Sequence, residues 1–142
     1  MYSFIKSIHS NLAIILLFVL VAAAIYLLFG FFTKKTFTAT TKRVALVGLI
    51  AAHSQLLVGL LIYFISPLGV QNFSKESMGN SMSRLYMLEH PLMMILGIVF
   101  ITIGYSKAKR ATTDTQKYKL LSIFYVIGLI CILSRVPWHV WM

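Results

Sequence analysis

Four apolar runs, each about as long as a helix that crosses a bilayer, dominate this chain; they lie at 11–32, 44–66, 85–105 and 118–138. A hydrocarbon core about 30 Å thick needs about 20 consecutive apolar residues in a helix. Backbone polar groups in lipid find no water, so such runs fold as helices whose N–H and C=O groups satisfy one another. Four spans within 142 residues leave only short connections. The expectation is an all-α integral membrane protein, one domain over 1–142, built as a four-transmembrane-helix up-down bundle.

The hydrophobic share, 59%, exceeds the roughly 45–50% of a soluble domain. A net charge of +10, from 13 Lys and Arg against 3 Asp and Glu, would suggest nucleic acid in a soluble protein. Here the cations sit in the connections between apolar runs, so the expected partner is the lipid bilayer and no nucleic acid. Nine of them (Lys34, Lys35, Lys42, Arg43, Lys107, Lys109, Arg110, Lys117, Lys119) fall on one side and four (Lys6, Lys75, Arg84, Arg135) on the other. Positive-inside then places both termini outside the cytoplasm, which for a bacterial inner-membrane protein means the periplasm. The first run is longer than a signal-peptide core and ends in Phe-Phe-Thr-Lys-Lys without a small-residue cleavage site, so it reads as a retained helix. The single cysteine, Cys131, offers neither a disulfide nor a CxxC site. Tyr86, Tyr105, Tyr118, Trp138 and Trp141 fall at span ends, as an aromatic belt does.

The chemistry rests on four histidines. His9 and His139 fall at the outer ends of the first and fourth spans, His90 about a turn and a half inside the third, and His53 near the middle of the second. Histidine at membrane depth is expensive and marks a functional position, which singles out His53 and His90. Two neutral imidazoles from different helices can ligate a haem iron axially. Gly97 and Gly104 follow His90 at seven-residue steps, close to one helix face, and could leave room for a macrocycle; Met93 and Met94 could line it. Arg84 and Arg135 suit propionates by their planar forks. Pro91 cannot donate to the Met87 carbonyl, so the third helix should loosen beside His90. His53 and His90 differ in depth by roughly six residues, about 9 Å. His9 and His90 differ by a similar amount in the opposite sense, so both pairings stay open. No HExxH, paired cysteine or carboxylate set supports another metal, and no Ser/His/Asp spacing supports acyl transfer.

The segments HSNLAIILL, TKRVALVGLIAAHSQLLVGLLIYFISPLG, RLYMLEHPLMMILGIVFITIGYSKAKR and LSRVPW resemble a small four-helix membrane family of Bacteroidetes whose members are labelled cytochrome b-like. The resemblance covers nearly the whole chain. It implies a bacterial inner-membrane protein with b-type haem, and draws attention to His9, His53, His90 and Arg135. The expected function is therefore haem b binding with bis-histidine ligation and electron transfer. His53 and His90 are the preferred ligands, with His9 as the alternative. A cofactor-free accessory subunit packed against a larger respiratory or other membrane complex is the alternative from another class. A third reading, a quinone-site protein or membrane-embedded enzyme, uses Glu89 as proton carrier.

Overall fold

A computed structural model describes residues 1–141, except for the side chain of Trp141, so the belt position expected for that tryptophan lies outside what is described. Every regular element among the described residues is helical: α1 (Tyr2–Phe32), α2 (Ala39–Ile65), a 3₁₀ turn (Val70–Asn72), α3 (Lys75–Met78), α4 (Ser81–Arg84), a π-turn (Leu85–Glu89), α5 (His90–Arg110), α6 (Asp114–Ser134) and α7 (Trp138–Trp141). Four helical stretches, Tyr2–Phe32, Ala39–Ile65, Ser81–Arg110 and Asp114–Ser134, are long and apolar enough to span a membrane. They form the expected four-helix bundle. α1 and α5 each pack against α2 and α6, so α1 faces α5 along one diagonal and α2 faces α6 along the other.

The helix ends follow local chemistry. Thr38 and Thr41 close a reciprocal capping box at the start of α2, and the Thr113 hydroxyl accepts from Gln116 N–H at the start of α6. α2 stops at Ser66, which Pro67 pushes into extended backbone (ψ 140°). α6 stops at Ser134, four residues before the end of the apolar run, because Pro137 two residues beyond Arg135 cannot continue a helix. α1 begins nine residues before its apolar run, carrying His9 within the helix rather than at its mouth. The long connection after α2 lies on the surface and holds two single helical turns, capped by the Ser74 hydroxyl and the Asn80 side chain.

The two halves of the bundle are filled differently. Towards the lysine-rich end, the α2–α6 diagonal is bridged by tyrosines. The Tyr125 hydroxyl donates to Ala45 O at 2.6 Å, and Tyr118 Oη lies 3.0 Å from Thr41 Oγ1 while donating to Thr36 O at 3.1 Å. Tyr118 is therefore a buried strut and not part of an aromatic belt. Its ring occupies the space a side chain at Gly30 would take. Towards the termini, the centre is not filled this way, and a cavity remains.

Gly97 and Gly104 do not open a slot along α5. A Cβ at Gly97 would lie 2.8 Å from Gly128 O, and one at Gly104 would strike Phe124, so both glycines let α5 approach α6 closely. Gly97→Val should destabilise the protein by about 1–3 kcal/mol, because overpacking against backbone cannot relax by rotating a side chain. Denaturant titration of the micellar protein followed by circular dichroism measures this. An unchanged midpoint would show that the crossing is loose.

Candidate functional site

The cavity at the termini end measures about 190 Å³ and is walled by α1, α2, α5 and the chain just after α6. His9, Gln55, His90 and Lys6 are among its polar lining, beside Leu16, Leu17, Leu56, Met94 and Ile98. Met94, four residues past His90, lines this cavity.

His90 owes its direction to the irregular turn before it. Its N–H bonds to Leu85 O, five residues back, which makes Leu85–Glu89 a π-turn. Pro91 has no N–H to offer Met87 O, and Tyr63 of α2 donates its hydroxyl to that carbonyl instead, at 2.8 Å. The loosening expected at Pro91 is thus present, and the freed backbone acceptor is satisfied from another helix. The extra residue turns everything after it by about 100° relative to a continuous α-helix. Glu89 leaves the cavity while His90 enters it.

His90 Nδ1 lies 2.8 Å from Arg135 O. A carbonyl only accepts, so Nδ1 carries the proton and Nε2 presents its lone pair. That tautomer, with one nitrogen held by a carbonyl and the other free, suits a metal-ligating or proton-accepting imidazole.

Across the bundle stands His9 of α1. The two ring centres are 6.2 Å apart and the planes cross at 86°. His9 Nδ1 is buried and has no hydrogen-bond partner among the described residues. Its ring sits over Gly59, where a Cβ would come within 3.1 Å of Cε1. Gln55, only 8% exposed, donates from Nε2 to His9 O at 2.8 Å, while its Oε1 lacks a partner.

His53 is placed elsewhere. It is exposed on the outer face of α2, with Nδ1 donating to Leu49 O of its own helix at 2.9 Å and Nε2 3.4 Å from Thr102 Oγ1. The inward face of α2 runs Ala45, Gly48, Ala52, Gln55, and Gly59 continues it. His53 lies about 100° from Ala52 around the helix, which is enough to turn it off that face. The His53–His90 pair is therefore not brought together, and His9 and His90 are. The depth offset read from the apolar runs vanishes for His9 because α1 and the helical stretch ending in α5 both begin earlier than those runs.

Arg84 and Arg135 converge on Glu89. Both guanidinium groups engage Glu89, Arg84 Nε at 2.9 Å and Arg135 Nε at 3.5 Å. Arg84 Nη1 and Arg135 Nη1 further donate to Met78 O and Ser134 O, each at 2.8 Å. Arg135 serves the site through its backbone carbonyl on His90, while Lys6 is the cation that lines the cavity. His139 accepts or donates at 3.1 Å with the Tyr86 hydroxyl, tying α7 to the start of the third span. Sequence reasoning passed over Gln55, Gly59, Tyr63 and Lys6. The first two repeat at the three- and four-residue steps of small and polar residues along α2, a signal that would have set the inward face without regard to His53.

No group of three or more His, Cys, Asp or Glu side chains is placed to hold a bare metal ion among the described residues. No protein-family model matches the chain, and no curated protein or solved structure matches it.

Proposed function

We propose that this is a haem b-binding membrane protein that carries electrons, with His9 and His90 as the axial ligands. The observation that supports it is the pairing of two imidazoles across the bundle centre at 6.2 Å between ring centres. Each of these residues would hold the group through a ring nitrogen without a protein partner among the described residues, Nδ1 of His9 and Nε2 of His90. The donor set fits axial ligation, where a third or fourth protein ligand is not needed. The volume fits less well: about 190 Å³ is below the roughly 300–1,000 Å³ of cofactor pockets, so Met94 and the leucines of the walls must move aside for a macrocycle.

The haem supplies one-electron chemistry when bound. The chain's own residues divide the remaining tasks. Arg135 O holds the His90 proton on Nδ1, Gly59 leaves room for the His9 ring, and Lys6 would offer a cation to a propionate. The apolar walls exclude water, which tunes the potential. The basic asymmetry supports an inner-membrane placement with both termini in the periplasm. The test is an absorption spectrum of protein expressed with ample haem, oxidised and then dithionite-reduced. A Soret band with reduced α and β bands is expected. A colourless, folded protein overturns the reading.

A second reading, a cofactor-free subunit of a larger membrane complex, is favoured by one observation. His53, bonded to Leu49 O and lying 3.4 Å from Thr102 Oγ1, stands on the exposed face of a membrane-depth helix, and polar side chains at that depth face protein far more often than lipid. A stable colourless complex after mild solubilisation would select it.

A further inference from the structure

The opposite end of the bundle holds a second, smaller site. A cleft of about 80 Å³ lies between α2, α5 and α6, and Lys42, Lys109 and Lys117 contribute to its walls with Tyr105. We propose that it binds the phosphate of an anionic phospholipid headgroup.

Charge is the first argument. The three lysines come from three different helices, and none forms an ion pair among the described residues. Of the chain's three acids only Asp114 lies near this end, and it does not line the cleft. Lys117 is held to the wall by the Phe37 ring, its Nζ 5.3 Å from the ring centre.

Helix polarity is the second. Lys42 and Lys117 each stand one turn inside a helix N-terminus, where aligned peptide dipoles already place positive charge. Cations there repel the helix ends unless an anion sits among them. A phosphate accepts from all three ammonium groups and from the Tyr105 hydroxyl, which has no hydrogen-bond partner among the described residues.

Size and setting choose the ligand. About 80 Å³, open on one side, is room for one tetrahedral phosphate among the lysines. The remaining walls are Phe37, Ala45, Ala108 and Leu121, at the ends of membrane-spanning helices. An apolar floor under a cationic rim matches a phosphodiester whose acyl chains run down the bundle, and basic pockets between membrane helices take such headgroups.

The test uses the full chain in detergent and measures retention of phosphatidylglycerol against phosphatidylcholine by native mass spectrometry. Two triple variants are compared: Lys42→Gln/Lys109→Gln/Lys117→Gln in the cleft and Lys34→Gln/Lys35→Gln/Lys119→Gln outside it. They remove equal charge. The cleft variant should lose phosphatidylglycerol affinity on the order of 100-fold, at about fivefold per lysine, and the control only a few-fold. Equal losses in both, or none in either, overturn the proposal. Inorganic phosphate that binds the wild type as tightly as the lipid does also overturns it, in favour of a free-anion site. Should the cleft variant not fold, Lys109→Gln alone, in the last turn of α5, is expected to lose about fivefold, and no loss there counts against the site.

Discussion

If His9 and His90 hold a haem as proposed, its retention should be abolished by His9→Ala and by His90→Ala, and left unchanged by His53→Ala. Each of the first two removes one of the imidazoles that face each other across the cavity. Removing an outer partner of a ligand already costs roughly 10–100-fold in affinity, and losing the ligand itself exceeds that. His53 lies on the far side of α2 from the cavity, bonded to its own helix, so its loss touches neither ligand. Gly59→Leu makes an independent check. It fills the place of the His9 ring without removing any donor atom, and should lower haem occupancy to the level of His9→Ala. All four proteins are purified identically, and the ratio of Soret to protein absorbance is read alongside far-ultraviolet circular dichroism. Retention in His9→Ala with loss in His53→Ala would sink the assignment of the pair and restore the one that composition and depth first favoured.

The bundle was legible in the sequence because the bilayer imposes one length on every span, and four runs of that length admit few other folds. The site was legible only in part. His90 and Pro91 announced themselves through cost, as polar and helix-breaking residues where apolar helix was expected. Choosing the partner of His90 required knowing which face of α2 turns inward, and depth alone could not say. Ala45, Gly48, Ala52 and Gln55 recur at steps of three and four and are all buried, and that stripe excludes His53 by rotation rather than by depth. The arginines were harder to place for a different reason. Glu89 is next to His90 in sequence, but the π-turn rotates it out towards Arg84 and Arg135, and no local pattern foretells a π-turn without its tertiary partner. That partner is Tyr63, twenty-four residues upstream of Met87.

The Tyr63–Met87 hydrogen bond and Pro91 should prove energetically coupled. Tyr63→Phe leaves Met87 O without its donor in a fully buried setting, since Met87 is 0% exposed, and should destabilise the protein by about 1–3 kcal/mol. In a Pro91→Ala background the new N–H at position 91 can reach Met87 O, as in an unbroken helix, so the same tyrosine change should cost less. The double-mutant cycle should therefore return an interaction of about 1 kcal/mol, read from denaturant midpoints of the four proteins. Additive effects would show that Tyr63 does not stand in for the missing proline donor. The functional readout runs the other way. Pro91→Ala relieves the need for the π-turn, and a regular helix would swing His90 by about 100° relative to Arg84 and the residues before the π-turn. Pro91→Ala should accordingly weaken haem retention even if it stabilises the fold, because the irregular turn sets the rotation that aims His90 at the bundle centre.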